Sequence, residues 1–381
     1  MHYADLHIHI GRTRSNDPVK ITASSKLTLP AILLEAFGPK GLHIIAPVDC
    51  AAPGVLAELR AMLQAKELKQ TPGGGFLWDS RGLVIPACEV EVSLGRGRCH
   101  LICYFPTLQA VTDYSQVLEK HMTNVNLSSQ RVSLSAETLW EITQSLGGLL
   151  VPAHAFTPHR GLYGSCVDSW KEAFTTRPLA LELGLSSDAS LAGQLGELAK
   201  TTFLSNSDAH SLPRIAREHN AFQLEELSFT ALVAALKGEG NCRLLANYGL
   251  DPRLGKYYRS YCPDCGQTRQ APPATICSLC GKEVVVGVLD RILQLATAPA
   301  DHRPPYYHQV PLSFMPGCGP RTIERLLRAF GTEMNILHHV PAEDLRRVAS
   351  HQLVEIIIAA RQGQLPIQPG GGGSYGRVVS R

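Results

Sequence analysis

The sequence predicts an α/β fold, and three observations carry that expectation. Strand-like and helix-like segments alternate through the first 250 of 381 residues. His, Asp and Glu gather where the strand-like segments end. Near residue 250 the alternation gives way to a Cys- and Pro-rich stretch followed by helical segments. Repeated βα alternation implies a mostly parallel sheet with helical crossovers, open or closed as a barrel. A chain of this length holds two or three domains, and 44% hydrophobic residues suffice for a large core.

Taken in order, His2–Ile10 alternates into an apolar strand, Leu29–Phe37 reads as a helix stopped by Gly38-Pro39, and Leu42–Val48 is a second strand. Helix-like Val55–Leu68 precedes strands at Leu83–Val92 and His100–Phe105. Ala136–Leu146 is helical, Gly148–Pro152 and Leu179–Leu183 are strands, and Ala189–Lys200 is helical. Thr202–Leu204 (strand) and Phe229–Lys237 (helix) complete a first domain of residues 1–250. Residues 251–298 form a four-cysteine unit, 299–311 (within APADHRPPYYHQVP, Ala298–Pro311) a proline-heavy linker, and 312–365 a helical domain. The tail 366–381, with four consecutive glycines from Gly370, is expected to be disordered.

Net charge is +3, unevenly spread: residues 251–381 hold 15 Lys/Arg against 10 Asp/Glu, and residues 1–250 hold 21 against 23. The mildly basic second part can face phosphates, although such an excess also suits an ordinary solvated surface. No 18-residue apolar run or signal-type h-region occurs, so a cytoplasmic protein without a membrane partner is expected. In that compartment the eleven cysteines stay reduced, and paired ones read as metal ligands.

The chemistry-bearing residues are Asp5-Leu6-His7-Ile8-His9, Asp49, Glu89, His100, His154 and Asp208-Ala209-His210. His7 and His9 lie two apart on a strand, so both leave the same face and can grip one or two metals. HxH alone fits surface histidines equally well; a second such pair, Asp208/His210, makes coincidence harder. The candidate ligands are His7, His9, Asp49, Glu89, His100, His154, Asp208 and His210, with Asp208, His210 and Glu89 expected to carry the catalysis. This mix suits zinc, manganese or iron better than calcium, with magnesium or manganese able to support activity. Two or three ions are expected. Glu89 or Glu91 can bridge them, and Glu89 is favoured; Asp5 and Glu182 read as groups orienting histidines. His159, Arg160 and Tyr163 are placed to contact substrate.

Cys262-Pro-Asp-Cys265 and Cys277-Ser-Leu-Cys280 make CxxC–x11–CxxC, with Gly266 and Gly281 supplying the knuckle turns. Four thiolates close a tetrahedral site, so one structural zinc is expected there. Further on, Pro316-Gly317-Cys318-Gly319-Pro320 opens a helix with an apolar face of Ile323, Leu326, Leu327 and Phe330. Its other face carries Arg321, Arg325 and Arg328. Gly317 and Gly319 before a helix N-terminus can hold a phosphate, and with Ala342–Arg361 the segment reads as a helix-hairpin-helix DNA-binding unit. A helical bundle that binds protein is the alternative.

These residues resemble the polymerase-and-histidinol-phosphatase superfamily, through DLHIH, Asp49, Glu89, His100, His154 and SDAH. Over residues 3–365 the chain is similar to the endonuclease Q family, through PAHAFTPHRGLY, LELGLSSD, LSNSDAH, YGLDPRLGKYY, the four-cysteine ribbon and the helical tail. The resemblance implies a distorted seven-stranded β/α barrel with a two- or three-metal phosphoesterase site. It also implies a DNA repair nuclease that nicks 5′ of deaminated bases (uracil, hypoxanthine, xanthine) and abasic sites. Two departures bear on the third metal: Asp49-Cys50 stands where Asp-His is common, leaving Cys50 a soft ligand or a spectator, and no third histidine follows His9. A phosphatase or exonuclease on the same barrel, or a non-catalytic lesion-binding protein, are the competing functions. DNA is the expected partner; a sliding clamp or repair helicase is the class of protein partner, without a visible docking motif, and the chain is expected to be a monomer.

Overall fold

The computed structural model describes residues 1–268, 275–297, 299 and 303–379. Parts of the expected cysteine unit (269–274 and 298), linker (300–302) and tail (380–381) lie outside the described residues.

β1 (His2–Ile8) is buried from Tyr3 onward and leads through α1 (Leu29–Glu35) to its parallel partner β2 (Ile44–Pro47). Helical winding does not stop at Gly38-Pro39 as expected. It widens over Ala36–Lys40 and ends at Gly41, whose φ of 76° suits a residue without Cβ. α2 (Pro53–Gln64) begins on proline, whose missing N–H costs nothing in the first turn. β3 (Leu68–Gln70), β4 (Phe76–Trp78) and β5 (Gly82–Val84) form an antiparallel meander, and β5 joins β2 in parallel. The expected single strand Leu83–Val92 is therefore two: Pro86, with no N–H to donate, falls where the chain leaves β5 for β6 (Ala87–Leu94).

β6, β7 (Gly97–Tyr104) and β8 (Leu149–Pro152) form an antiparallel sheet. Between β7 and β8 lie α3 (Leu108–Glu119) and α4 (Ala136–Ser145), with Thr107 and Ser135 hydroxyls accepting from the N–H of Ala110 and Thr138. β9 (Ala180–Glu182) connects through the single-turn α5 (Ala189–Ala192) to its parallel neighbour β10 (Thr202–Leu204). The longer helix expected over Ala189–Lys200 breaks where Gly193 and Gly196 weaken it. β11 (His219–Gln223), α6 (Phe229–Lys237) and β12 (Arg243–Gly249) follow, with β11 antiparallel to β1 and β12 antiparallel to β11. After α7 (Val288–Leu295), β13 (Tyr306–His308) closes the largest sheet, of order β13-β12-β11-β1-β2-β5-β4-β3.

The fold is mixed α/β, but the expectation of a mostly parallel sheet is corrected. Antiparallel pairs predominate, because tight connections such as Gly95-Arg96 between β6 and β7 leave no room for a crossover. Backbone hydrogen bonds nevertheless link strand ends across the separate sheets. Cys50 N–H donates to the Ala87 carbonyl and Glu89 N–H to Val48; Ala155 N–H donates to Glu182, Leu183 N–H to Leu204, and Ala209 N–H to His7. The circuit β1-β2-β6-β7-β8-β9-β10 thereby returns to β1 with the polar strand ends gathered at one end.

The C-terminal helices are α8 (Pro320–Phe330), α9 (Glu333–His338), α10 (Ala342–Val348) and α11 (His351–Arg361), packed as neighbouring pairs. Leu326 is buried while Arg321, Arg325 and Arg328 are exposed. The tail expected to be disordered is a hairpin: β14 (Ile367–Gln368) pairs antiparallel with β15 (Arg377–Val378), and Val378 is buried. A Cβ at Gly370 would lie 2.5 Å from Gly376 N, and one at Gly376 2.6 Å from Gly370 N. Gly370 and Gly376 serve close packing, and Gly372 and Gly373 turn the chain at φ of 60° and 82°, none of which the glycine-rich composition alone reports.

Candidate metal centre

The candidate side chains arrive from six strands or from the residues just past them. β1 supplies His7 and, just past its end, His9; the β1–β2 register shifts between Asp5 and Ile8, an irregularity of the kind that re-aims side chains beside sites. β6 supplies Glu89 and β7 His100, while His154, Asp208 and His210 follow β8 and β10. His154 and Asp208 sit at φ of 28° and 46°, a conformation disfavoured for residues with a Cβ. Flanking residues hold that strain. Ala155 N–H is tied to Glu182, and Arg217 donates from Nε to the Ser207 carbonyl (2.7 Å) and from a terminal nitrogen to Asp208 (3.4 Å).

Seven of the eight expected ligands converge in three overlapping groups: His7, His9 and Glu89; His9, Asp208 and His210; Glu89, His100 and His154. Asp208 Oδ1 lies 3.5 Å from His7 Nε2, 3.3 Å from His9 Nε2 and 3.4 Å from His210 Nδ1. Glu89 Oε1 faces His7 Nε2 (3.4 Å) and His154 Nε2 (3.6 Å), while its Oε2 faces His9 Nε2 (3.6 Å). Ligand atoms at about 2.0–2.1 Å from a tetrahedral ion stand roughly 3.3 Å apart, so these spacings suit metal ligation. Glu89 Oε1 and His100 Nδ1 are buried and 2.8 Å apart, yet neither is aligned for a hydrogen bond. Two such atoms aimed past each other fit a common ion between them. Glu89 joins two groups, the bridging place expected of it; Glu91 instead pairs with Arg98 and Arg160.

Three expectations are corrected. Asp49 is in none of the groups; it sits behind His9, with Oδ1 3.1 Å from Nδ1, and also accepts from Ile10 N–H. Glu182 does the same for His7 Nδ1 at 2.9 Å. These carboxylates turn each ring so that Nε2 faces the centre. Asp5 orients no ring: it accepts from the N–H groups of His7, Ser207 and Ala216, holding the Asp208 loop. Tyr163 is buried with its hydroxyl on Glu197, so it lies away from substrate. Cys50 donates its thiol to the Pro47 carbonyl, and burial pushes its pKa up to about 12, so it is a spectator.

Lys20 escaped the sequence reading. Its ammonium lies 3.2 Å from Glu89 Oε2 and also bonds Ser129, and only tertiary packing signals it. Burial opposes the charged forms of Glu89 and Asp208, but the facing His100 and Lys20 for one, and His7 for the other, hold both well below the usual carboxylate range. Burial likewise opposes a charge on His7, and Glu182 and Asp208 outweigh it, raising its pKa. Divalent ions would replace those protons. The centre opens into a cavity of about 460 Å³, whose walls include His159, Arg160, Lys256, Tyr257 and Tyr375.

The second cluster is Cys262, Cys265, Cys277 and Cys280. Cys262 Sγ lies 3.4 Å from Cys280 Sγ, Cys265 Sγ lies 3.7 Å from Cys277 Sγ, and Cys280 Sγ lies 4.0 Å from Cys265 Sγ. Zn–S bonds of about 2.3 Å in a tetrahedron put sulfurs roughly 3.8 Å apart, so the four fit a zinc ion with no open position.

Comparison with known proteins places this geometry. No family model matches the chain. It is 42% identical to the uncharacterized protein YqxK of Bacillus subtilis (strain 168), over 99% of this chain and 98% of that one. It is 34% identical to the uncharacterized protein MJ0043 of Methanocaldococcus jannaschii, over 59% of this chain and 31% of that one. The lesion-specific endonuclease PfuEndoQ of Pyrococcus furiosus superposes with a TM-score of 0.84 at 33% identity, covering 99% of this chain and 94% of that one. The chain belongs to the endonuclease Q family. An endonuclease Q in complex with a 27-mer duplex carrying an abasic lesion at its active site superposes with a TM-score of 0.85 at 33% identity, covering 100% of this chain and 96% of that one. The protein is thus an endonuclease of this family, with metal-type clusters in its α/β body and its ribbon.

Proposed function

We propose that this endonuclease Q member is a DNA repair enzyme that hydrolyses the phosphodiester 5′ of deaminated bases (uracil, hypoxanthine, xanthine) and of abasic sites. The observation that carries the reading is the convergence of His7, His9, Glu89, His100, His154, Asp208 and His210 at one end of a cavity of about 460 Å³. In this reading the strand circuit is the distorted seven-stranded barrel, and its three overlapping ligand groups, which have His9 and Glu89 in common, would hold two or three ions. When bound, divalent ions acidify a water and neutralise charge on the scissile phosphate. Glu182 and Asp49 hold His7 and His9 in position, and the Lys20 ammonium can meet a phosphate oxygen from the cavity wall. A lesion base must leave the stack to be read, and the cavity has room for one nucleotide. Gly317, Gly319, Arg321, Arg325 and Arg328 form the helix-hairpin-helix grip on backbone phosphates; Gly317 and Gly319 have open space where a side chain would stand.

The test is cleavage of end-labelled duplexes carrying one deoxyuridine, deoxyinosine or abasic site, with Mg²⁺ or Mn²⁺. A single cut 5′ of the lesion, absent on undamaged duplex, supports the reading. No cut on any lesion by metal-loaded protein overturns it.

A further inference from the structure

Beside the catalytic cavity lies a second one of about 320 Å³, and Tyr375 lines both. Its floor is apolar (Leu250, Leu254, Val378) beside the buried Arg217, and its rim carries the exposed Arg214 and Arg377. Two aromatic rings stand open to solvent there, Phe314 at 44% and Tyr375 at 51% exposure. Guanidinium groups around open rings are the chemistry that holds an unpaired nucleotide, with the base stacked and the phosphate paired. Among the described residues no carboxylate lines the groove.

The groove is a built feature. The Gly370–Gly376 turn docks through Gly370 N–H to the Arg253 carbonyl and Gly376 N–H to Leu254. A Cβ at Gly373 would stand 3.5 Å from the Tyr261 hydroxyl, and one at Gly371 3.6 Å from Thr268 Oγ1, so the turn also rests on the cysteine unit. That strap holds Tyr375 at the mouth of the catalytic cavity, where the Lys256 ammonium sits 5.6 Å from its ring and 4.7 Å from that of Tyr257. Arg217, buried in the groove wall, fixes the carbonyls of Ser207 and Asp208, which ties the groove to the catalytic loop.

We infer that the Phe314–Tyr375–Arg377 groove is a second nucleotide subsite, holding the unpaired nucleotide next to the lesion on the cut strand. This rests on the lesion-nuclease reading. One ring separates the groove from the catalytic cavity, which suits consecutive nucleotides of one strand parted by Tyr375. The substrate is then bound with two nucleotides out of the stack.

The experiment places 5-iododeoxyuridine at single positions around a tetrahydrofuran abasic site: either side of it on the lesion strand, and opposite it on the partner strand. Full-length, metal-loaded protein is irradiated with each duplex, and the adducts are mapped by mass spectrometry. Adducts at Phe314 or Tyr375 from a position adjoining the lesion on its own strand are expected. Adducts there only from the partner strand, or none there while the same probes label other residues, overturn the subsite. Nicking of the unmodified lesion duplex by the same preparation separates the two readings: nicking without those adducts removes the subsite alone, and no nicking removes both. The Phe314→Ala/Arg377→Ala variant should raise KM for lesion duplex about tenfold with kcat nearly unchanged and the same Tm. An unchanged KM overturns the inference.

Discussion

The two metal-type clusters are built in opposite ways. The four cysteines come from two knuckles within Cys262–Cys280, with Cys262 and Cys277 buried against Val284, and all four positions of the ion would be filled by protein. The other centre gathers seven candidate ligands from five strands or the residues just past them, spreads across residues 7–210, and leaves one side open to a cavity. A closed local site stabilises its own loop; an open site needs a large scaffold to hold strained, mutually repelling ligands for chemistry. His154 and Asp208 at positive φ mark where that scaffold works hardest.

Breaking the open centre should have the largest effect on activity and little on structure. Asp208→Ala is expected to cut nicking by about 10³-fold while leaving the affinity for lesion duplex within a few-fold; equal loss of binding would contradict its role. Next, Glu182→Gln should lower the centre's metal affinity by about 10–100-fold, read by titration calorimetry, with nicking restored at high metal. An affinity equal to wild type would show that His7 needs no such partner. Cys265→Ser should do the reverse of Asp208→Ala: one zinc fewer per chain by elemental analysis and a lower Tm, with a smaller fall in nicking.

The smallest expected effect lies in the scaffold behind both clusters. Burial raises the Glu218 pKa to about 8, with Oε1 on the Leu250 N–H and Oε2 unpartnered. The folded state therefore keeps a proton that the unfolded chain releases near pH 4.5. Stability from this group falls as pH rises from about 4.5 to about 8, and is flat outside that window. Glu218→Gln should flatten the pH dependence of Tm between pH 5 and 8; an unchanged slope would remove Glu218 as its source.

Much of the site was legible because its residue types are chemically restrictive. His, Asp and Glu ending apolar strand segments have few structural uses, and CxxC pairs advertise their purpose within a few residues. What escaped notice depends on contacts distant in sequence. Lys20 meets Glu89 across 69 positions, and nothing around Lys20 marks it. Asp49 looked like a ligand because its type and place allow it, but whether a carboxylate faces the ion or the back of a histidine is set by packing. The βα alternation implies a mostly parallel sheet, and the antiparallel pairing of β6–β8 departs from it because strand direction leaves no periodic trace. The glycine run suggested disorder, since composition reports freedom of the chain and not the close packing that uses it.

By itself, then, the amino-acid sequence determined an α/β body, a four-cysteine cluster, a set of candidate ligands and the family of the chain. Local propensity and side-chain chemistry act over a few residues, so they can be read without a fold. Only the tertiary structure decided which carboxylates join the histidine cluster and which stand behind it, which lysine lies beside them, and how the tail straps Tyr375 over the cavity. Those outcomes follow from burial and long-range hydrogen bonding, which exist only once distant segments have met.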